Sequence, residues 1–265
     1  MRLDIIIPAH NEAHRIDRTL TTFRSRIEDP AVRFLLALDR CTDGTEAVVD
    51  RHARVDSRIE IIRYPKLGKG GVIIESLRRC DAELVGFVDA DCATPPVELL
   101  RLVEATSAAD VAIASRWHPA AVLPGHRPLS RKLESRVFAG MVKALFGLPY
   151  MDTQCGAKIL RRAAAQTVVP LLSSRDFLFD VDLLLASRKL GLRVVEVPTV
   201  WIDQAGSRVR PAQDGRRMAL SALRLWLHSR VLPLPDTIDE LLSLAGHSRD
   251  ALASHTVDDR RTVDA

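Results

Sequence analysis

Two aspartates directly after an apolar run are the strongest chemical signal in the sequence. Asp89 and Asp91 follow residues 84–88, a run typical of a buried strand. Paired carboxylates there are costly unless something positive lies beside them. Oxygen ligands suit Mg²⁺ or Mn²⁺, which proteins often hold through one or two carboxylates and the phosphates of a substrate. The pattern predicts such a metal site. The alternative is a turn in which an aspartate caps the next helix.

Three other polar segments also end or follow apolar runs. Residues 8–12 end the first run, Asp39 ends the second, and the glycine-rich turn 66–71 carries Lys69 at a helix start. Glycines allow close approach of the backbone, so Lys69 could contact a phosphate or a base. Each segment also has an ordinary interpretation: a strand-to-helix turn, a helix cap, or a surface turn with a solvated lysine.

The second half of the chain contains two more acidic segments. Residues 151–158 place polar side chains around a glycine, which is a poor core segment and indicates a polar site. Residues 179–182 put two aspartates at a helix start, where they could instead serve as caps. Arginines that could grip phosphate oxygens, or could simply be solvated, surround the loop between these halves: Arg116, Arg127 and Arg131.

Alternating strands and helices must position these residues. Apolar runs predict strands at 3–7, 34–38, 59–63, 84–88, 111–115, 157–160 and 194–197. Helices are expected at 16–27, from Thr42 or Asp43 to 54, from the glycine-rich turn to 79, and at 95–107, 130–146, 162–169, 180–190 and 215–230. The alternation over residues 3–115 predicts parallel βαβ units, in which ligands bind outside the carboxyl ends of the strands, while the second part is less regular. Pro8, Asp39, Asp89 and Ser115 would then converge on one cleft.

Composition limits the class of protein. The chain has 265 residues, 47% of them hydrophobic, and its net charge of +4 is too small to argue for nucleic-acid binding. Its four cysteines lack the spacing of a zinc site. There is no signal-peptide pattern and no apolar run of about 18 residues, so we expect a cytoplasmic protein without a transmembrane helix.

Taken in order, the segments resemble the family 2 glycosyltransferases of the GT-A fold. Within that family the chain is most similar to dolichyl- and polyprenyl-phosphate sugar synthases, especially the dolichyl-phosphate β-glucosyltransferase type. The segments that carry the resemblance are IIIPAHNE, CTDGT, GKGG, DAD, Ser115-Arg116, DTQCGAK, FDVDLL, EVPTVW and GSRV. The DTQCGAK segment is the most specific, since it separates this branch from many other family 2 enzymes.

The resemblance implies an α/β fold and a reaction. The fold would be a Rossmann-like, mostly parallel twisted sheet flanked by helices, with a C-terminal acceptor-side extension of helices and strands. Residues 1–116 would bind the nucleotide-sugar, 117–246 the acceptor, and 247–265 would be a disordered tail. The enzyme would move glucose or mannose from a UDP- or GDP-sugar to polyprenyl or dolichyl phosphate, with inversion and with Mg²⁺ or Mn²⁺.

The resemblance also assigns site residues. The nucleoside pocket would contain Pro8, Ala9, Asn11, Glu12 and Asp39, with Lys69 near the base. Asp89, Ala90 and Asp91 would hold the ribose and the metal-bound diphosphate, with Asp91 as the direct metal ligand. Arg116 and Arg131 would contact phosphates, while Asp152, Gln154 and Asp180 would face the sugar and the acceptor. The expected catalytic set is Asp89, Asp91, Arg131, Asp152 and Asp180.

Departures from the family pattern keep alternatives open. Leu38 and Asp39 stand where relatives usually carry two acids, Asp182 replaces a glutamate, and the membrane segment of many relatives is missing. A soluble hydroxyl or phosphate acceptor is therefore an alternative, with Asp152 or Asp180 as base for a hydroxyl. A further alternative is a protein that binds a nucleotide-sugar without catalysing a reaction. Helices 130–146 and 215–230 could contact a membrane peripherally or pack in the core, and a homodimer is compatible with the sequence.

Overall fold

A seven-stranded mixed sheet with helices against it forms the body of the protein. The computed structural model defines residues 1–124, 129–204, 219–227 and 229, with the backbone alone for 129–135. Met1–Trp226 forms one compact unit, and Leu227–Ala265 is a second unit of which only residues 227 and 229 are defined. The predicted tail and residues 125–128, including Arg127, lie outside the defined part.

The chain alternates strands and helices much as the sequence predicts. The strands are β1 (Leu3–Ala9), β2 (Val32–Asp39), β3 (Ile59–Tyr64), β4 (Leu84–Val88), β5 (Val111–Ser115), β6 (Ala157–Arg161) and β7 (Val194–Pro198). The helices are α1 (Ile16–Arg26), α2 (Thr45–Val55), α3 (Gly68–Leu77), α4 (Pro96–Ala105), α5 (Leu129–Phe146), α6 (Arg162–Val168) and α7 (Phe179–Lys189). Val169–Leu171 adds a 3-10 turn, and residues 219–227 are helical.

The order of strands across the sheet is β3-β2-β1-β4-β6-β5-β7. All neighbours are parallel except β6, which runs antiparallel to both β4 and β5. The mostly parallel α/β fold is therefore confirmed, and β6 is the strand that makes the sheet mixed. The apolar runs of β1, β2 and β4 are buried along nearly their whole length, because helices cover both faces of the sheet.

Because β6 is antiparallel, its first residues lie at the edge of the sheet where the parallel strands end. The carboxyl ends of β1, β2, β4 and β5 meet at one edge of the sheet, and the amino end of β6 lies there as well. Val88 pairs with Ala157, so the residues after β4 are neighbours of the residues before β6. This pairing brings together the DAD motif, residues 89–91, and the DTQCGAK segment, residues 152–158.

The predicted cap of α2 needs correction. Gly44 is the N-cap residue, so neither Thr42 nor Asp43 occupies that position. Asp43 instead accepts hydrogen bonds from the N–H groups of Thr45 and Ala13, at 2.9 and 3.2 Å. Its carboxylate thus ties the start of α2 to the loop after β1. Burial alone would raise the pKa of Asp43, but the hydrogen bond from the Thr45 hydroxyl, together with these two bonds, outweighs it and lowers that pKa.

Two helices were expected either to pack in the core or to touch a membrane. Val142 of α5 is buried, as are Ala222 and Leu225 in helix 219–227, whereas Leu220 and Leu223 are about half exposed. Each helix therefore has a face in the core, and membrane contact stays a prediction. None of the helices in the defined part of the chain has the length and apolarity needed to cross a membrane.

Gly86 of β4 lies in close contact with β6. A Cβ atom built on Gly86 lies 2.3 Å from Ile159 Cδ1 and 2.6 Å from the carbonyl oxygen of Lys158. Since a backbone atom cannot yield as a side chain can, we expect Gly86→Ala to lower the free energy of unfolding by about 1–3 kcal/mol. Urea denaturation measures this.

Gly140 in α5 provides the matched control. A Cβ built there meets nothing within 4 Å. Gly140→Ala should leave stability unchanged or raise it slightly, because alanine is the better helix former. Equal stability of the two variants would show that β4 and β6 are not in tight contact at Gly86.

Candidate functional site

Four charged side chains of alternating sign run from the edge of the sheet into the core. Lys69 Nζ lies 2.7 Å from Asp89 Oδ1 and 3.6 Å from Asp180 Oδ2, and Lys158 Nζ lies 2.5 Å from Asp180 Oδ1. We call these four residues the ion-pair ladder. Side-chain exposure falls along it from 41% at Asp89 through 19% at Lys69 to 2% at Asp180 and zero at Lys158. Only its outer end is available to a ligand.

Lys69 is held between two carboxylates. Burial alone would lower the pKa of the Lys69 ammonium, but Asp89 and Asp180 outweigh it and raise that pKa. Lys69 is therefore a fixed positive charge beside the DAD motif. The resemblance had placed it near the base of a nucleotide, and the structure brings it against the carboxylate expected at the diphosphate.

Asp91 is the second carboxylate of the DAD motif. It is partly buried, and its Oδ1 accepts a hydrogen bond of 3.0 Å from the N–H of Ala93. Burial, followed by the charge of Asp89, raises the pKa of Asp91. A carboxylate that is desolvated next to a second one favours a nearby cation.

The donor set of the DAD motif fits a hard divalent cation. Asp89 and Asp91 offer carboxylate oxygens, as Mg²⁺ and Mn²⁺ prefer. Within the defined ranges, no three His, Cys, Asp or Glu side chains are grouped so that they could hold a metal ion. Two protein carboxylates would thus require further oxygens, which the phosphates of a nucleotide supply.

Gly156 makes room for Asp89. A Cβ built on Gly156 would lie 1.9 Å from Asp89 Oδ2 and 2.3 Å from Asp89 Cγ. The carboxylate thus occupies the space that any other residue at position 156 would need. The glycine of the DTQCGAK segment is part of the site because of this contact.

Arg15 is a site residue that the sequence analysis missed. Its guanidinium pairs with both carboxylate oxygens of Glu12, and one of these contacts is 2.9 Å long. The hydrogen bond that Arg15 donates to Glu12 raises the pKa of Arg15 despite burial, and the charges of Glu12, Asp91 and Asp89 contribute. Glu12, expected in the nucleoside pocket, is thus engaged by a cation that also faces the DAD motif. The spacing of three residues between Glu12 and Arg15 is the local signal that could have indicated this pair.

Hydrogen bonds join the loops after β1, β2 and β3 at the same edge. Asp39 is 3% exposed and accepts hydrogen bonds from the N–H groups of Leu67 and Gly68, at 2.7 and 3.1 Å. Asn11 Oδ1 accepts the N–H of Thr42 at 2.7 Å. These side chains, expected to line a nucleoside pocket, are used to fix the loops around it.

The backbone is strained around this edge. Asn11, Arg40 and Cys92 have φ values of 57°, 50° and 58°, in the left-handed region that residues other than glycine seldom adopt. Each follows within a few residues the carboxyl end of a parallel strand. Strain of this kind clusters at functional sites, where the surrounding structure holds it in place.

Arg116, which follows β5, and Asp152 form a second ion pair at this edge. Arg116 Nε and Nη2 donate to the two carboxylate oxygens at 2.7 and 2.9 Å, and the backbone N–H of Arg116 donates to the same carboxylate. The guanidinium also lies 5.5 Å from the ring centroid of Trp201. Burial alone would raise the pKa of Asp152, but Arg116 outweighs it and holds that pKa low.

Two buried polar atoms of this region have no hydrogen-bond partner. They are Ser115 Oγ and Gln154 Nε2. Buried polar atoms are normally satisfied, so each is a candidate for contact with a ligand. Arg131 lies in α5, where the structure defines the backbone alone, so its predicted phosphate contact stays a prediction.

A mostly parallel α/β sheet with an acidic pair and fixed cations at its carboxyl edge suits the binding of a nucleotide's phosphates. Comparison with known families identifies the class: the model of the glycosyl transferase family 2 matches residues 4–169. Because the match covers more than half of the chain, the protein belongs to glycosyltransferase family 2.

Curated relatives are similar over most of this chain. Glycosyltransferase AglD of Haloferax volcanii is 29% identical over 88% of the chain, which spans only 38% of the length of AglD. The undecaprenyl-phosphate mannosyltransferase of Micrococcus luteus is 30% identical over 77% of the chain and 85% of its own length. The dolichyl-phosphate beta-glucosyltransferase of Saccharomyces cerevisiae is 28% identical over 82% of the chain and 72% of its own length.

A solved structure confirms the GT-A fold. Glucosyl-3-phosphoglycerate synthase of Mycobacterium tuberculosis, in complex with Mn²⁺, UDP and glucosyl-3-phosphoglycerate, superposes with a TM-score of 0.66. It is 17% identical, and the match covers 88% of this chain and 81% of that one. The same enzyme is also seen with Mg²⁺ and UDP.

Gly156→Ala tests whether the DTQCGAK segment supports the DAD motif. The new methyl group must displace the Asp89 carboxylate, which can turn outward because it is 41% exposed. Turnover of a nucleotide-sugar should fall at least about 10-fold, or about 1.4 kcal/mol in the barrier, with little change in melting temperature. Gly140→Ala is the control. Unchanged turnover in Gly156→Ala would show that the position of Asp89 is unimportant.

Asp91→Asn tests the cost of the buried charge. A raised pKa means that the folded protein binds the Asp91 proton more tightly than the unfolded chain does, so ionisation at neutral pH lowers stability. The variant should melt a few degrees above the wild type at pH 7, and the difference should vanish as pH falls through the raised pKa.

Addition of Mn²⁺ and a nucleoside diphosphate should make the wild type melt at a higher temperature than Asp91→Asn. Mn²⁺ with a nucleoside diphosphate should raise the melting temperature of the wild type by mass action and leave that of Asp91→Asn unchanged. A variant that melts below the wild type without ligand, or that is stabilised equally by Mn²⁺ and nucleotide, would contradict the assignment.

Proposed function

We propose that this glycosyltransferase moves a hexose, glucose or mannose, from a UDP- or GDP-sugar to the phosphate of a polyprenyl or dolichyl lipid. Support for the acceptor comes from relatives of 26–30% identity whose names specify undecaprenyl or dolichyl phosphate. Support for the donor comes from the DAD carboxylates and their neighbouring cations at the edge of the sheet.

On the donor side, the chain's own groups would fix the diphosphate. Asp91, with Asp89 beside it, would hold Mg²⁺ or Mn²⁺, which when bound neutralises charge on the leaving diphosphate. Lys69 and Arg15 are fixed cations next to these carboxylates, so they add positive potential where negative charge develops. The free polar atoms of Ser115 and Gln154 are available to orient the sugar.

On the acceptor side, the observation that carries the proposal is the state of the two candidate bases. Asp152 is 2% exposed and paired with Arg116, and Asp180 is 2% exposed and paired with Lys158. A carboxylate so engaged is a poor proton acceptor for a hydroxyl group. A phosphate monoester needs no such base, because it is already anionic at neutral pH.

The reaction would then be a single in-line displacement. A phosphate oxygen of the acceptor attacks the anomeric carbon, the bond from that carbon to the diphosphate breaks, and the nucleoside diphosphate leaves with the electron pair. The configuration at the anomeric carbon inverts. Asp152 and Asp180 would act in this scheme by holding Arg116 and Lys69, which face the phosphates, rather than by moving protons.

Transfer to a lipid acceptor tests the proposal. The protein, Mn²⁺ and radiolabelled UDP-glucose or GDP-mannose are incubated with a polyprenyl phosphate in detergent, and the organic phase is counted. Label should enter that phase with one of the donors. Asp91→Asn should lower the rate at least about 100-fold, or about 2.7 kcal/mol.

The matched control is the corresponding polyprenol, which lacks the phosphate. Because Asp152 and Asp180 are both engaged in ion pairs, neither would activate a hydroxyl group, and the polyprenol should accept no sugar. Transfer to the polyprenol at a similar rate would contradict the account of the acceptor. Transfer only to a soluble hydroxyl or phosphate acceptor would favour the alternative reading of the sequence.

A further inference from the structure

Lys158 is a buried charge that the proposed reaction does not use. Its side chain has no exposed surface, so it cannot touch a donor or an acceptor. It lies on β6, whose other central residues, Ile159 and Leu160, are fully buried apolar side chains. An ammonium group in such surroundings is costly unless it is paired and hydrogen-bonded.

Every N–H group of the Lys158 ammonium has a protein partner available. Lys158 Nζ donates to the carbonyl oxygens of Thr153 and Cys155, at 3.3 and 2.8 Å, and to Asp180 Oδ1 at 2.5 Å. It also lies 5.5 Å from the centroid of the Phe87 ring at the end of β4. One ammonium therefore connects β4, α7 and the segment before β6.

Two routes lead from Lys158 to Asp89. The first is the ion-pair ladder, in which Asp180 holds Lys69 and Lys69 holds Asp89. The second is the chain itself, because the carbonyl of Cys155 precedes Gly156, whose Cα leaves the space that Asp89 fills. Both routes end on the same carboxylate.

We propose that Lys158 is a positioning residue that holds Asp89, and through it the DAD site, in the geometry that binds a divalent cation with a nucleoside diphosphate. This inference rests on the proposed function. It assigns to the DTQCGAK segment a task on the donor side of the site, in addition to its expected place near the acceptor. The competing explanation is a purely structural ion pair that stabilises the fold without affecting the site.

Lys158→Met removes the ammonium and keeps a long apolar side chain. Binding of Mn²⁺ is measured by the loss of the free Mn²⁺ signal in electron paramagnetic resonance, with UDP or GDP present. We expect the variant to bind Mn²⁺ at least 10-fold more weakly than the wild type, because both routes to Asp89 lose the ammonium from which they start.

The matched control is Arg33→Met at the opposite edge of the sheet. Arg33 pairs with Asp4, whose side chain is 3% exposed, so this change also deprives a buried carboxylate of its cation. The control should lose stability but bind Mn²⁺ within twofold of the wild type. A Lys158→Met variant that behaves like Arg33→Met would overturn the proposal.

A second variant separates position from stability. Lys158→Met combined with Asp180→Asn removes both buried charges, which should recover thermal stability, since no unpaired ion remains in the core. The weak binding of Mn²⁺ should persist, because Lys69 then lacks the Asp180 carboxylate and the carbonyl of Cys155 still lacks the Lys158 ammonium. If the double variant recovers both Mn²⁺ affinity and stability, the role of Lys158 is purely structural. This test remains valid even if the single Lys158→Met variant does not fold.

Binding of Mn²⁺ by the wild type distinguishes failure of the proposed function from failure of the inference about Lys158. A wild type that binds no Mn²⁺ with either nucleotide would refute the proposed function and this inference with it. A wild type that binds, beside a Lys158→Met variant that binds equally well, would refute the inference alone.

Discussion

A buried ammonium must have partners for its N–H groups, and at Lys158 this requirement organises the functional edge of the sheet. The partners come from two carbonyls before β6 and from Asp180 in α7. Since Asp180 is then shared with Lys69, and Lys69 with Asp89, the same requirement extends outward to the site. The low dielectric constant of the core strengthens these ion pairs, and for the same reason a buried charge without a partner raises the free energy of the folded state.

The site combines such fully paired groups with a few that are left unsatisfied. Asp152 and Asp39 are buried but have all the partners that the protein can give them. Asp91 is different, because burial and its neighbour Asp89 disfavour its charge, and Gln154 Nε2 has no partner at all. The paired groups make the site rigid. A cation bound at Asp91 and a sugar bound at Gln154 would supply the missing partners and so lower the free energy of the folded state.

Much of the fold and part of the site could be predicted from local pattern. Apolar runs and the polar residues that end them gave the strands of the parallel part and put Asp89 at a strand end. Local pattern could not place β6 between β4 and β5, because strand pairing depends on distant contacts. Distant contacts also explain why the place of Arg15 beside the DAD motif and the pairing of Asp152 with Arg116 were not predicted. Lys158 was visible as a lysine in an apolar strand, but its partners were not.

The central claim is that Asp89 and Asp91 hold a divalent cation against a nucleoside diphosphate. Diffraction from crystals grown with Mn²⁺ and UDP or GDP, recorded at the manganese absorption edge, tests it most directly. The account predicts an anomalous peak within about 2.0–2.3 Å of an Asp91 oxygen and of diphosphate oxygens, close to Asp89. A bound nucleotide whose diphosphate lies away from this pair, or a manganese peak elsewhere on the protein, would contradict it.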